Sequence, residues 1–277
     1  MDWNLEEVQI IVADYFAMLS QELANKPYSK AAHRTALMPL LNNRSAGSIE
    51  FKHQNISAVL VQMGLPFIKG YKPRYNYQQL LVRSVTQHIG GNQRFLEKEF
   101  EKFSDKPVEK KAIPVVDFHQ FLTEEVIVSR VKDDAPLYRP IKINYLEKEQ
   151  HNRSLGIAGE ELIIEYEKWR LGQAGKESLG DRVEWVSKEQ GDGTGFDILS
   201  KNNSGTDRYI EVKTTKLSKE TPIYLTNTEV SFATLKKKDF FLYRVYDFES
   251  EPKFFMRNGE YKNYCEIIPQ SYKGYFF

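Results

Sequence analysis

Apolar residues recur at intervals of three to four positions through the first hundred residues, a pattern typical of amphipathic helices. The spacing predicts one helix over 6–24, which Pro27 ends, and further helices that begin after Ser29 and after Ser48. Another helix is predicted over 78–89. The first part of the chain is therefore expected to be helical throughout.

The pattern changes after residue 150. A helix over 155–171 is followed by short runs rich in β-branched and aromatic residues, and a capping box from Thr226 to Glu229 predicts one more helix. A hairpin is expected around Asn258 and Gly259. The strand-like runs are 183–186, 196–199, 209–214 and 240–246. A sheet flanked by helices follows, so we predict an α/β (α+β) protein.

We divide the chain into a helical domain over 1–100, a connector over 101–150 and a sheet domain over 151–277. The connector shows little apolar periodicity, apart from a short predicted helix around 118–126. Hydrophobic residues make up 41% of the 277 residues, which is enough to build a buried core. We therefore expect a folded protein with two ordinary domains.

Several classes of protein are excluded by composition. No apolar run approaches the length of a membrane span, so we expect no membrane partner. The chain starts with acidic residues, unlike a secretory signal, and a cytoplasmic location is the expectation. Cys265 is the only cysteine, which excludes an intrachain disulfide and a zinc site built from cysteines.

Charge is distributed unevenly along the chain. The segment 26–94 contains ten basic residues and one acidic residue, Glu50, and so carries a net charge of +9. Since the whole chain carries +1, the remainder carries −8. This asymmetry favours a polyanionic partner such as nucleic acid, and the alternative is a solvated basic face without a ligand.

Two stretches of this basic segment combine cations with amides and aromatic rings. Cations neutralise phosphates, amides read base edges, and tyrosine stacks on exposed bases. The alternative for each residue is an ordinary packing or capping role. We predict phosphate contacts for Arg44, Lys72, Arg74 and Arg83, base contacts for Gln54, Asn55 and Tyr71, and a place on the same DNA-binding surface for Lys52, His53 and Lys69.

The sheet domain contains a candidate catalytic set. Side chains alternate along a strand, so Glu211 and Lys213 share one face. If the two strand-like runs pair as a hairpin, Asp197 lies beside Glu211, and two adjacent carboxylates repel unless a cation neutralises them. Hard oxygen ligands suit Mg²⁺, and Lys213 would orient or deprotonate the attacking water. The set predicts metal-assisted phosphodiester hydrolysis, and a solvated charge pair is the alternative.

Glu160 is a fourth candidate, as a ligand of the metal either directly or through water. It follows Gly159 in the first turn of the predicted helix over 155–171. Glu161 is its rival, because one residue rotates a helical side chain by about 100° and only one of the two can face the sheet. The apolar pattern of the helix does not decide between them.

Three motifs carry a family resemblance. They are Gly156-x-x-Gly159-Glu160, Gly191-Asp192-Gly193-x-Gly195-Phe196-Asp197-Ile198 and Tyr209-Ile210-Glu211-Val212-Lys213-Thr214-Thr215. Together they resemble the PD-(D/E)XK nuclease superfamily and, within it, the protein NO VEIN C-terminal domain of bacterial restriction and defence proteins. The resemblance covers about 151–277 and implies a restriction-endonuclease-like αβββαβ core with a central mixed sheet. Phe196 stands where relatives usually have proline, which removes no ligand.

The resemblance also implies a site and an activity. Asp197, Glu211 and Lys213 would be catalytic with Glu160 assisting, and the cofactor would be Mg²⁺, for which Mn²⁺ would substitute. We therefore expect a DNA endonuclease of restriction or phage defence, acting on double-stranded DNA as a homodimer. The alternatives are a modification-dependent restriction nuclease, an RNA nuclease, or a non-catalytic nucleic-acid-binding protein on a nuclease fold.

Overall fold

The computed structural model describes residues 2–108, 118–124, 139–191, 193–271 and 275. The chain forms two compact units, and each is assembled from separate stretches of sequence. The stretch predicted as a connector, 101–150, contributes to both. The helical unit takes its described residues from Met1–Glu109, Val126–Leu155 and Thr215–Ile223, and the sheet unit takes its own from Lys110–Glu125, Gly156–Thr214 and Tyr224–Phe277.

The helical unit follows the predicted order of helices closely. A capping box begins its first helix, since the Asn4 side chain accepts from the Glu7 N–H and the Glu7 carboxylate accepts from the Asn4 N–H. Ser29 caps the second helix, as predicted, by accepting from the Ala32 N–H. The helices are α1 (Leu5–Leu23), α2 (Lys30–Leu37), α3 (Ala46–Gln62), α4 (Gln79–Gly91), α5 (Gln93–Asp105) and α6 (Tyr145–Gln150).

Two features of this unit differ from the prediction. Helix α3 begins three residues earlier than expected, because Ser45 rather than Ser48 is its N-cap. Helix α5 was not predicted, because its surface is densely charged and hides the apolar stripe. That stripe consists of Leu96 and Phe100, and the polar Ser104 continues the buried side of the helix, each four residues after the last. The weak periodicity of the region therefore conceals a regular helix.

The sheet unit consists of a five-stranded sheet with helices packed against it. Apart from two short helices, its elements follow the order αβββαβ, with one further strand at the end. This confirms the predicted mixed α/β class, with a helical N-terminal part. The elements are α7 (Arg153–Gln173), α8 (Glu177–Gly180), β1 (Glu184–Trp185), α9 (Val186–Gln190), β2 (Ile198–Lys201), β3 (Asp207–Thr214), α10 (Asn227–Lys236), β4 (Phe240–Tyr246) and β5 (Lys253–Asn258).

The strands lie in the order β1-β2-β3-β4-β5. Strands β2 and β3 form an antiparallel hairpin in which Ile198 lies opposite Ile210, and the pair β3–β4 is parallel. Strand β1 pairs with β2, and β5 with β4, in antiparallel fashion. The hairpin turn at 202–205 closes with a bond from the Asn202 N–H to the Thr206 carbonyl (2.8 Å), as the Asn- and Gly-rich sequence predicted.

Helices α7 and α10 pack against opposite faces of the sheet. On one face Ile210 and Val212 of β3 join the buried residues Ile163 and Tyr166 of α7 in the main core. On the other face Phe232 of α10 packs against Tyr209, with ring centroids 5.4 Å apart. Alternation along β3 therefore directs Glu211 and Lys213 towards the face that α10 covers.

The α7 face contains a buried polar network around Glu167, which is fully inaccessible to solvent. Its carboxylate pairs with Arg170 (2.6 Å) and lies 3.6 Å from Arg208. The hydroxyls of Ser200 and Tyr243 also donate to it, at 2.7 and 2.5 Å. A buried charge with this many partners is satisfied, and it fastens α7 to β2, β3 and β4.

Three local predictions were wrong. Of the run 183–186, only Glu184–Trp185 is a strand, because α9 begins at Val186. The dipeptide Asn258-Gly259 ends β5 instead of turning a hairpin, since the turn between β4 and β5 lies at 247–252. The short helix predicted around 118–126 is reduced to a 3₁₀ turn over Phe118–Gln120, and its last two residues lie outside the described residues.

Candidate active site

Asp197 and Glu211 meet across the β2–β3 hairpin. Asp197 lies one residue before β2, and its backbone N–H donates to the Ile210 carbonyl (2.8 Å), which continues the register of the hairpin. Its carboxylate oxygen Oδ2 accepts from the backbone N–H of Val212 (2.8 Å). The Asp197 side chain therefore bends towards β3, and the predicted juxtaposition of the two carboxylates forms.

Lys213 lies on the same face of β3 as Glu211, as strand alternation predicted, and the two side chains form an ion pair. Its Nζ lies 2.8 Å from Oε1 of Glu211 and 2.8 Å from Oε2 of Glu229. Glu211 is only 3% exposed, and Lys213 is half-buried. Glu229 also completes the capping box of α10, in which its own N–H donates to Thr226 (3.2 Å). The lysine is thus held between the strand and the first turn of the helix.

Glu229 also belongs to the candidate site, although the sequence did not predict this. The sequence marked it as a helix cap, but its contact with Lys213 depends on how α10 packs against the sheet. No periodicity along either element reveals that packing. The only sequence signal was an acidic residue in the first turn of a helix that follows the strand of Glu211 and Lys213.

Glu160 takes the position predicted for it beside the sheet. The indole N–H of Trp185 and the hydroxyl of Ser187 both donate to its Oε2, at strand β1 and helix α9. Its negative charge also contributes to raising the pKa values of both Asp197 and Glu211. Glu160 is therefore close enough to act on both carboxylates electrostatically.

The site disfavours negative charge on its own carboxylates. Burial, together with the charges of Glu211 and Glu160, raises the pKa of Asp197 well above its usual value. Burial raises the pKa of Glu211 to about 7, against the opposing effect of Lys213. A cation bound beside the two carboxylates would relieve this cost, which is the electrostatic condition of a metal site.

Lys213 carries a firmly held proton. Burial acts to lower the pKa of its amine, but Glu211 and Glu229 overcome this and raise it above the usual value. The sequence had left open whether Lys213 orients water or removes a proton from it. The environment of the side chain supports the role of a charged donor and not the role of a base.

Two glycines and an aromatic residue shape this end of the sheet. A side chain at Gly159 would place its Cβ 1.9 Å from Oγ1 of Thr214, so α7 approaches β3 too closely for any residue but glycine. Gly195 has a φ of +87°, and a side chain there would place its Cβ 2.8 Å from the Cβ of Phe232. Phe196, which stands in place of the usual proline, stacks on Phe232 with centroids 4.8 Å apart. These contacts fix the approach to Asp197.

The donor chemistry of the site fits Mg²⁺. In the part of the chain that the structure describes, no three His, Cys, Asp or Glu side chains gather closely enough to enclose a metal ion. Magnesium usually takes only one or two carboxylates and completes its shell with water and substrate phosphate. Asp197 and Glu211 supply such a pair, and Glu160 would then contribute through water.

Many of the residues predicted to contact DNA have side chains that are occupied within the helical unit, whereas for Gln54 and Lys69 the partners are those of the backbone and the side chains are half-buried. Buried side chains include His53, which lies 3.5 Å from Asp14, and Tyr71, whose ring is covered by Lys30. The carbonyl of Gln54 accepts from the Arg74 N–H, and the backbone N–H of Lys69 donates to Glu22. Arg44 forms an ion pair with Glu7 (2.7 Å), and the Lys52 amine lies 4.9 Å from the centre of the Trp3 ring. The Asn55 amide donates to the Arg74 carbonyl (2.7 Å).

Three of the predicted phosphate contacts remain exposed on the helical unit. They are Lys72, Arg74 and Arg83. Lys72 lies 3.8 Å from Glu220, a loose contact, and the Arg74 guanidinium covers the ring of Phe51 at 4.9 Å. Exposed cations are available to phosphates in a way that buried ones are not, so these three carry the prediction of DNA contact.

The comparison with known families concerns the segment that contains the site. No curated protein and no solved structure gives a significant match to the chain. In the helices that the structure describes, no stretch is long and apolar enough to cross a membrane. Residues 159–256, about a third of the chain, match the family model described as Protein NO VEIN, C-terminal, which confirms the family resemblance over the segment with Glu160, Asp197, Glu211 and Lys213.

Proposed function

We propose that this protein is a Mg²⁺-dependent nuclease that hydrolyses phosphodiester bonds in DNA. One observation carries the proposal: Asp197 and Glu211 meet across a hairpin, and Lys213 is paired with Glu211 on the same face. Structural ion pairs are usually arranged to neutralise each other. Here Lys213 pairs with two carboxylates, those of Glu211 and Glu229. Asp197 and Glu160 add further negative charge beside Glu211, and this excess favours a further cation.

The role that we propose for each residue follows from these contacts. Asp197 and Glu211 would hold the metal ion, which when bound supplies Lewis acidity and a more acidic water. Lys213, which keeps its proton, would donate hydrogen bonds that orient the water or neutralise charge on the phosphate. Glu229 and Glu211 hold the lysine in place, and Glu160 would position an outer water.

We further propose a biological setting. The helical unit, with its basic segment and the exposed Lys72, Arg74 and Arg83, would contact double-stranded DNA. A homodimer would supply the two sites that cutting both strands requires. The proposed role is restriction or phage defence in the cytoplasm, because the sheet unit resembles a domain of bacterial restriction and defence proteins. The alternative version of this proposal is a restriction nuclease that cleaves only modified DNA.

The proposal is tested by incubating the full chain with plasmid DNA, modified and unmodified, with Mg²⁺ or with a chelator. We expect Mg²⁺-dependent cleavage that Asp197→Asn reduces by at least about 100-fold. Asp207→Asn is the matched control, because Asp207 lies on β3 but pairs outside the site with Lys201. Lys213→Met should also abolish cleavage, whereas Lys253→Met, on β5, should not.

Two results would contradict the proposal. If Asp197→Asn and Asp207→Asn cleave DNA equally, the catalytic set is wrong. If no plasmid is cut in any modification state, DNA hydrolysis is wrong, and a parallel incubation with RNA decides whether the same residues act on the other nucleic acid. Thermal unfolding of each variant shows whether lost activity reflects lost folding.

A further inference from the structure

A buried tyrosine of the sheet unit, Tyr261, has no part in the mechanism proposed above. It begins a 3₁₀ turn over Tyr261–Asn263, which follows strand β5 and lies outside the motifs that carry the family resemblance. Its side chain is 1% exposed, and no described residue forms a hydrogen bond with its hydroxyl. Because nearly all buried hydroxyls in proteins are hydrogen-bonded, this exception needs a physical explanation.

The end of β5 leads Tyr261 to the face of the sheet that carries Glu211. Gly259 turns the chain with a φ of +98°, and its N–H donates to the Phe240 carbonyl (2.9 Å). The 3₁₀ turn that follows packs against α10. There the Tyr261 ring packs edge-to-face on Phe240, with centroids 5.4 Å apart, and the Phe240 ring lies 6.4 Å from that of Phe232 in α10. Tyr261 and Glu211 therefore share the face that α10 covers.

Three carboxylates of the candidate site act on the Tyr261 hydroxyl. Burial raises the pKa of Tyr261 well above its usual value, and the charges of Glu211, Glu229 and Asp197 raise it further. The hydroxyl therefore keeps its proton and is a hydrogen-bond donor at neutral pH. The carboxylates lie near enough to influence the hydroxyl, yet none of them accepts a hydrogen bond from it. A water molecule is the smallest group that would connect the hydroxyl to a carboxylate.

We propose that Tyr261 is a positioning residue of the candidate site, and that its hydroxyl holds a water molecule of the metal's hydration shell beside Glu211. The inference rests on the proposed function in taking Mg²⁺ as the ion. Mg²⁺ demands a near-octahedral shell and usually keeps several of its waters, so a fixed group that orients one of them strengthens binding. Losing such an outer group commonly weakens metal affinity about 10- to 100-fold. The hydroxyl would thus contribute to metal binding at a cost in the stability of the fold.

The test measures metal binding and folding separately. Mn²⁺ is titrated into the full chain without DNA, and calorimetry gives its dissociation constant. We expect Tyr261→Phe to weaken Mn²⁺ binding about tenfold, because phenylalanine keeps the packing on Phe240 and loses only the hydroxyl. The midpoint of urea unfolding without metal should stay the same or rise, because an unpaired buried hydroxyl is removed. A purely structural tyrosine would give the opposite result, a lower midpoint with an unchanged affinity for Mn²⁺.

Two further variants assign the effect to the hydroxyl and to the site. Tyr264→Phe is the matched control and should leave the Mn²⁺ affinity unchanged, because Tyr264 is half-buried in the same segment and its hydroxyl donates to the Gly259 carbonyl (3.2 Å). Asp197→Asn should abolish the binding that Tyr261→Phe weakens. In cleavage assays, Tyr261→Phe should need about tenfold more Mg²⁺ for half-maximal activity, and saturating Mg²⁺ should restore most of the wild-type rate.

Other outcomes separate this inference from the proposed function. If Asp197→Asn abolishes Mn²⁺ binding and Tyr261→Phe leaves it unchanged, the inference is wrong and the metal site remains. Equal weakening by Tyr261→Phe and Tyr264→Phe would also overturn it, since the effect would then belong to the segment and not to the hydroxyl. A chain whose Mn²⁺ affinity depends on Tyr261 but which cuts no nucleic acid would keep this inference and lose the nuclease activity. If the wild-type chain binds no Mn²⁺ and cleaves DNA without metal, the metal site and this inference both fail.

Discussion

Single residues at the candidate site could be predicted only in part. Alternation along one strand was enough to place Glu211 and Lys213 on one face, and the hairpin register then brought Asp197 to them. The sequence could not reveal that Glu229 is the second partner of Lys213, because that contact joins elements that are far apart until the sheet packs. Contacts within a strand follow a period, whereas contacts between a strand and a helix do not.

Replacing Glu229 separates its two roles. Glu229→Gln keeps the capping box, since glutamine serves at this position, but removes one negative charge from Lys213. We expect the helix to persist and cleavage to fall roughly tenfold, because Lys213 loses one of the two carboxylates that hold its amine in position. Circular dichroism and initial cleavage rates measure the two effects. Glu251→Gln, at the exposed partner of Lys253, should change neither.

Arg44 illustrates how a predicted DNA contact can be a structural residue. Its Nε and Nη2 donate to the Glu7 carboxylate at 2.8 and 2.7 Å. This hydrogen-bonded pairing, together with the bonds from Asn4 and Asn42, lowers the pKa of Glu7 from 4.5 to about 2. The pair therefore contributes to the stability of the helical unit.

The stability that this pair provides depends on pH in a definite direction. Because the pKa of Glu7 is lower in the folded state, the contribution is complete above pH 4.5 and is lost as the pH falls towards 2. At pH 7 we expect Arg44→Met to lower the free energy of unfolding by about 1.5–3 kcal/mol. Urea unfolding between pH 7 and 2.5 should show this difference shrinking. Arg34→Met, at a looser pair with Glu50 (3.8 Å), should show almost no difference at any pH.

At the scale of elements, packing decided what the pattern along the chain could not. The predicted strands of the central hairpin and the helix after Thr226 formed as expected, because alternation and the capping box are local signals. Helix α5 was hidden because exposed charges outnumber its buried residues. The run at β1 became half strand and half helix. Short elements at sheet edges follow their tertiary contacts more than their own propensity.

The contact between α7 and β3 can be tested with two glycines of the same helix. Gly159→Ala places a Cβ against the Thr214 side chain, and we expect it to lower the free energy of unfolding by about 1–3 kcal/mol and to impair cleavage. Gly156→Ala meets nothing closer than 3.9 Å, so it should be neutral or stabilise by up to about 1 kcal/mol. Equal effects of the two substitutions on denaturant unfolding would contradict the close approach.

At the scale of the whole molecule, a helical part followed by a sheet part could be predicted, but the assignment of Thr215–Ile223 to the helical unit could not. The cause is a set of long-range polar bonds. The backbone N–H of Lys216 donates to the Glu149 carboxylate (2.6 Å), and its Nζ donates to the carbonyls of Phe103 and Lys106. Such bonds join residues that are 67 to 113 positions apart and leave no periodic trace.

The basic segment of the helical unit gives a prediction for the whole chain. Replacing Lys72, Arg74 and Arg83 together by serine should weaken binding to duplex DNA and flatten its dependence on salt. The slope of log K against log salt should fall by about 0.9 for each cation that contacts a phosphate. A control variant carries three serine replacements on the sheet unit, at Lys168, Lys253 and Lys262. A slope that changes equally in both triples would locate DNA binding elsewhere.

Helix α7 carries two carboxylates on nearly the same face, two turns apart. Glu160 lies at the candidate site, and Glu167 is locked by Arg170, Arg208 and Tyr243. Because a helix of this length turns as a rigid rod, the lock at Glu167 sets the rotation at which Glu160 is presented. Under the proposed function, natural variation in the buried network would therefore alter the rate of cleavage from about 10 Å away. Inherited changes in the proposed nuclease activity would then not need to fall on any residue that contacts DNA.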